Sequence, residues 1–249
     1  MPIFHIGLLA AMPEELGNIL GNLHNVKEKQ NGDLKIYTGT WQNNKKEEIL
    51  ISTTWSGWGK VSAARATTRL CSHLNKNQYP NLLFFTGVAG AVKKNQKQWD
   101  IVVANSVLQH DMDARPLYKE FVIPALNTHK IFPNHKFKEI LFKSLERKRL
   151  NGELNKFGDI SEGLIATGDR FISDINFLEK LEKKLPELMA VEMEGGAFAQ
   201  VAKQENIDWI LLRVISDNAN DAAEKDFNLF LNEYKNISWK LVEIFLNNL

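Results

Sequence analysis

The chain of 249 residues has one cysteine, Cys71, so no disulfide can form within it, and no Cys/His cluster stands at zinc-ligand spacing. It also lacks a dominant charge: 31 Lys and Arg against 30 Asp and Glu leave a formal net charge of +1. Without a basic excess there is no electrostatic drive toward a phosphate backbone, and nucleic acid is not an expected partner. No apolar run approaches the roughly 20 residues that span a bilayer, so no membrane partner is expected. The first residues show no basic region followed by an apolar signal core and a small-residue cleavage site, which points to a cytoplasmic location. Repeats, low-complexity tracts and long linkers are missing too. What remains, 44% apolar and 24% charged residues, is a globular composition with enough chain for one full core, expected as a single domain over 1–249.

Within that composition, apolar runs of strand length recur at 3–10, 49–54, 82–86, 101–107, 163–166 and 209–215. Helical patterns lie between several of them, at 13–23, 60–74, 137–149, 177–185, 194–205 and 238–249. The alternation predicts an α/β fold with a central sheet sandwiched by helices. Leu82-Leu83-Phe84-Phe85 reads as a strand buried on both faces, whereas 33–41 alternates and belongs nearer an edge. The basic stretches at 93–97 and 143–149 read as solvated surface.

Three acidic motifs follow apolar runs: Ala11-Met12-Pro13-Glu14-Glu15, Val191-Glu192-Met193-Glu194 and Arg213-Val214-Ile215-Ser216-Asp217. Ligands bind outside the carboxyl ends of strands in open α/β sheets, so carboxylates delivered there suggest acid/base chemistry in one shared site. Local explanations also exist. Pro13, Glu14 and Glu15 suit a helix start, the two glutamates at 192 and 194 suit a cap, and Asp217 suits an Asx-turn. Ser56-Gly57-Trp58-Gly59-Lys60-Val61 and Thr86-Gly87-Val88-Ala89-Gly90 read as small-residue turns, the second with backbone suited to a pocket floor. The first lacks both the Walker spacing and a full dinucleotide fingerprint.

Taken in order, these motifs, with His110-Asp111-Met112-Asp113 and the stretch from Gly163 through Thr167-Gly168-Asp169-Arg170-Phe171-Ile172, resemble the 5′-methylthioadenosine/S-adenosylhomocysteine nucleosidase family of the nucleoside phosphorylase superfamily. The resemblance spans nearly the whole chain. It implies a three-layer α/β/α sandwich around a twisted mixed sheet, a homodimer, and hydrolysis of an adenine–ribose N-glycosidic bond without metal or cofactor. Glu15 matches the catalytic glutamate, Asp217 the leaving-group acid, Ser216 its neighbour, and Arg213 an arginine near the catalytic water. Met193 and Glu194 match the ribose-contact pair, while Phe171 and Ile172 match the segment that stacks on adenine and meets its edge. Met12, Val88, Ala89, Gly90 and Glu192 join the substrate-binding set.

These roles cohere chemically, because departing adenine gathers negative charge while ribose approaches an oxocarbenium ion. A protonated Asp217 donates to adenine N7 if burial keeps its proton, and Glu15 activates water on the opposite sugar face. Two departures from the pattern stand out. Val88 occupies a position where serine is common, and the segment 111–121 differs from the aromatic pattern that closes over the 5′ substituent from the neighbouring subunit. Leu117, Tyr118 or Phe121 are the candidates to cover that group, and Arg115 to meet a phosphate or carboxylate. The alternatives that stay open are an AMP or aminofutalosine nucleosidase, a purine nucleoside phosphorylase, and a noncatalytic nucleoside-binding protein.

Overall fold

Apolar and β-branched runs become strands buried on both faces, and they are separated by helices whose single apolar stripe covers the sheet. The computed structural model describes residues 4–72, 80–219 and 223–249. In chain order these form β1 (Phe4–Ala10), a 3-10 turn (Pro13–Glu15), α1 (Ile19–Asn22), β2 (His24–Asn31), β3 (Leu34–Gln42), β4 (Glu48–Trp55), α2 (Lys60–Ser72) and β5 (Leu82–Ala91). There follow β6 (Ile101–Gln109), α3 (His135–Leu150), β7 (Ile160–Thr167), α4 (Ile175–Lys184), β8 (Leu188–Glu192), α5 (Gly195–Gln204), β9 (Asp208–Asp217), α6 (Ala223–Tyr234) and α7 (Trp239–Leu246). Residue 3 of the expected first strand and residues 73–74 of the expected second helix lie outside the described residues.

The nine strands form one mixed sheet in the order β2-β3-β4-β1-β5-β8-β7-β6-β9, and β9 also pairs with β5, so the five strands from β5 to β9 close on one another. One face packs on α3, α6 and α7 through Leu141, Leu145, Phe230, Tyr234, Val242 and Phe245. The other packs on α2 and α5 through Ala63, Ala66, Leu70, Ala197, Phe198 and Ala202. This is the expected layering of helices around a mixed sheet.

Local structure departs from expectation in three places, each for an identifiable reason. The pattern at 13–23 predicts one helix, but the chain makes a 3-10 turn and then the short α1, because Gly17 takes φ of +51° and ends the first turn. Residues 86–90, expected as a turn, continue β5 in parallel register with β9, Gly87 opposite Arg213 and Gly90 opposite Asp217. Their small side chains mark close approach of neighbours rather than a bend. The outer edge belongs to β2, whose sequence HNVKEKQN is exposed almost throughout and lacks an alternating apolar face. It pairs with β3 across a register shift between His24 and Lys27. Neither β2 nor α6 is among the predicted elements.

Candidate active site

At the carboxyl end of β1 the buried chain passes into the 3-10 turn, with Pro13 where its missing N–H costs nothing. Glu15, the third residue of that turn, folds back so that Oε2 accepts the N–H groups of Ala11 at 2.7 Å and Met12 at 2.9 Å. That much is local helix-start chemistry. Its other oxygen accepts the Val88 N–H at 2.9 Å from 73 residues away, which a cap does not explain. Burial pushes the Glu15 pKa up, against the opposing pull of Arg213 and the three N–H donors. Glycine at 87 is a spatial requirement: a Cβ there would stand 2.5 Å from Glu15 Oε1 and 3.0 Å from Arg213 Nη1.

Asp217 ends β9 and is almost fully buried. Ser216 Oγ lies 2.7 Å from Asp217 Oδ2, and the Ala219 N–H donates to Oδ1 at 2.8 Å, so the expected Asx-turn forms around the same carboxyl. Burial raises the Asp217 pKa despite these two bonds. Such a carboxyl keeps its proton to higher pH and is suited to donate it.

Between these groups lies a buried charge cluster. Arg213, 1% exposed, stacks 4.5 Å over Phe85 and places Nη2 2.6 Å from Glu192 Oε2 and 4.0 Å from Glu194 Oε2. Glu192 is saturated, since it also accepts the Glu194 and Gly195 N–H groups and the Thr167 hydroxyl. Glu194 receives one backbone bond, from Gly59 N–H at 2.8 Å, and burial together with Glu192 pushes its pKa up to about 8. Arg213→Met would leave the carboxylates without their internal cation. A destabilisation of about 3–5 kcal/mol is expected for a broken buried pair, measurable by urea unfolding. A parental midpoint in that variant would show that the pair does not hold the fold.

A cleft joins these elements. Its wall contains Glu15, Ser216 and Asp217, and with them Met12, Val88, Ala89, Gly90, Phe171, Ile172, Glu192, Met193 and Glu194. Val88 reaches Glu15 through its backbone N–H, a bond that does not depend on the side chain, which packs in the core. Arg213 is not on the wall; it stands behind, spent on Glu192. None of the four 5′-end candidates lines this cleft. Arg115 is held by Asp113 at 2.8 and 2.5 Å, Leu117 is 85% exposed, Tyr118 is exposed too, and Phe121 packs with Leu178 and Leu181.

Five lining residues escaped the sequence reading: Ala11 and Val191, each next to a predicted one, and Trp58, Arg170 and Phe227. Trp58 is 51% exposed and meets Phe227 of α6 edge-on at 5.9 Å, and Phe227 meets Phe171 at the same separation. Arg170 lies on the wall with its guanidinium 4.6 Å over Phe177. Trp58 and Arg170 sit inside quoted motifs, where a large or charged residue next to turn glycines is the available signal. Phe227 had none, because its helix was not anticipated.

Together, the mixed sheet and its strand-end carboxylates have a known counterpart: the family model of the phosphorylase superfamily matches residues 5–247. A 5′-methylthioadenosine/S-adenosylhomocysteine nucleosidase of Staphylococcus haemolyticus is 34% identical over 96% of this chain and 97% of its own. The chain belongs to the 5′-methylthioadenosine/S-adenosylhomocysteine nucleosidase family of that superfamily. Among solved structures, an S-adenosylhomocysteine nucleosidase from Streptococcus pyogenes in complex with 5-methylthiotubericidin superposes with a TM-score of 0.87 at 31% identity, covering 100% of this chain and 98% of that one. A futalosine hydrolase of Helicobacter pylori gives a TM-score of 0.85 at 27% identity, covering 99% of each chain.

Proposed function

We propose that this protein hydrolyses the adenine–ribose bond of 5′-methylthioadenosine, S-adenosylhomocysteine or both, releasing adenine. The observation that carries the reading is the pair of buried carboxyls on one cleft wall. Glu15 is anchored to Val88 N–H, and Asp217 faces Gly90 two residues further along β5. Both anchor points lie on β5 and hold the two carboxyls toward the same cleft, the pairing that acid/base hydrolysis across a glycosidic bond requires. Glu15 takes the proton of that water, Asp217 gives its proton to departing adenine, and Glu194 accepts hydrogen bonds from the sugar hydroxyls. Phe171 and Ile172 hold the base. Arg213 acts from behind, favouring the ionised forms of Glu15 and Glu194.

Water rather than phosphate fits this site. The attacking position lies beside a carboxylate, and the fully buried arginine is already paired with Glu192. One second reading has a specific support: Arg170 on the wall, together with the likeness to a futalosine hydrolase, suits an adenine nucleoside with an acidic 5′ group. Adenine release measured from methylthioadenosine, adenosylhomocysteine, AMP and aminofutalosine, with and without phosphate, separates these. Free sugar as product supports hydrolysis, and sugar 1-phosphate refutes it. Binding without turnover of any substrate supports the noncatalytic alternative.

The chain is further proposed to act in the cytoplasm as a homodimer of single-domain subunits. Val61 at 80% and Leu117 at 85% exposure are apolar side chains that a second copy would cover if they lie in the contact. Light scattering of the purified protein tests this, a monomer at micromolar concentration overturning it. Glu194→Gln is expected to narrow the preference for ribonucleosides over their deoxyribo analogues, since the amide is a weaker acceptor for sugar hydroxyls. An unchanged ratio of kcat/KM values would remove Glu194 from the sugar.

A further inference from the structure

Three of the sequence motifs carry polar residues that the proposed chemistry does not use: Lys60 after the glycine turn, Asp111 after β6 and Asp169 after β7. The fold joins them in a closed ring. Lys60 Nζ lies 2.6 Å from Asp111 Oδ1, the second Asp111 oxygen accepts the Asp169 N–H at 3.0 Å, and Asp169 Oδ1 accepts the Lys60 N–H at 2.7 Å. These partners are 51, 58 and 109 residues apart, so the ring is a tertiary link among three loops. Burial opposes the Asp111 charge, yet Lys60 and the Asp169 N–H hold its pKa below the ordinary carboxylate range.

What the ring grips is the residue before Lys60. Gly59 takes φ of +91°, and a Cβ there would stand 3.0 Å from Asp169 Oδ1, so this turn is pressed against the carboxylate that anchors it. The same Gly59 donates its N–H to Glu194. Around Glu194, Glu192 from β8 and Glu15 from the 3-10 turn oppose ionisation and Arg213 from β9 favours it. Among the described residues, the Gly59 N–H is the hydrogen-bond donor that reaches its carboxylate.

Resting on the nucleosidase reading, we propose that Asp169 is a positioning residue for the sugar-binding carboxylate: by anchoring the Lys60 amide it sets the Gly59 turn so that the Gly59 N–H meets Glu194. Although Arg170 beside it lines the cleft, Asp169 itself is exposed and does not. Its effect is therefore transmitted through backbone geometry. A hydrogen bond to the charged form lowers a carboxyl pKa, so releasing this turn moves the Glu194 titration upward.

The test uses the full chain and three variants, Asp169→Ala, Asp169→Asn and Lys60→Met. The Glu194 side chain is followed by carbon NMR, its resonance identified by loss in Glu194→Gln, and kcat/KM for adenine release is followed against pH. Asp169→Ala is expected to raise the Glu194 midpoint by about half to one pH unit and to lower kcat/KM near neutral pH about 3–10-fold. Asp169→Asn keeps an acceptor for the Lys60 N–H and should restore most of both. Lys60→Met keeps the backbone amide and should shift Glu194 less than Asp169→Ala. Coincident Glu194 titrations in the parent and Asp169→Ala overturn the positioning role, whatever happens to thermal stability. A parent that releases no adenine refutes the nucleosidase reading instead, and the carbon titration still decides the role of Asp169.

Discussion

Glu15→Gln is expected to reduce kcat for adenine release by about 10²–10⁴-fold, the usual contribution of a general base. The substitution removes the proton acceptor while keeping side-chain length. Its surroundings make the loss sharper than size suggests: both oxygens of Glu15 accept N–H bonds, from Ala11 and Met12 on one side and Val88 on the other. An amide can satisfy only one side, so its NH₂ faces a backbone donor. Part of any loss will therefore be structural, and the measurement must separate the two. If Glu15 acts on water rather than on adenine, binding of free adenine should stay within a few-fold of the parent. The pH profile gives the second control. Burial raises the Glu15 pKa, so the ionised base is lost as pH falls through that raised value, and the acid limb of kcat should lie above the ordinary carboxylate range. In the Gln variant the residual rate should lose the part of that limb due to Glu15. Parental turnover in Glu15→Gln would return Glu15 to a helix-start role.

Asp217→Asn is expected to be nearly inactive on adenine nucleosides but to retain much of its activity on a nucleoside whose leaving group departs without protonation. Asparagine matches aspartate in shape and can still accept the Ala219 N–H and meet the Ser216 hydroxyl, so the β9 end should persist. What it cannot do is supply a proton to a poor leaving group. Burial lifts the Asp217 pKa, so the protonated form survives to higher pH and activity falls only as pH rises through that value. The alkaline limb should weaken or vanish in the variant. Ser216→Ala should be damaging but less so, because it removes an orienting bond and leaves the acid. Equal proportional losses on natural and activated substrates would reassign Asp217 to positioning.

Much of the site was legible before any coordinates, for reasons that differ by residue. Glu192 and Asp217 close buried strands, and Glu15 and Glu194 follow the end of one within a few residues; an acidic side chain there is a local signal. Phe171 and Ile172, which line the cleft, were legible only as part of a resemblance, since nothing in their spacing marks them for a pocket wall. Arg213 shows the limit of such transfer. The resemblance implies an arginine near the catalytic water, while pairing with Glu192 holds Arg213 behind the cleft wall. Phe227 was invisible because the apolar pattern of α6 was not read as a helix. Edge strand β2 was invisible because its polar sequence gains its pairing from β3 alone.

By itself, the sequence determined the alternation of strands and helices, the layering that follows from their apolar patterns, and which carboxylates stand at strand ends. Hydrophobic periodicity is a local property, written in neighbouring residues. The tertiary structure decided which of those carboxylates are charged, paired or ready to donate. That depends on burial and on partners far away in the chain, such as Val88 for Glu15, Gly59 for Glu194 and Arg213 for Glu192. It also decided that residues 86–90 are strand rather than turn, because small residues there serve the approach of Glu15, Arg213 and Asp217. A pKa and a close contact are properties of an environment, and the fold creates that environment by bringing distant segments together.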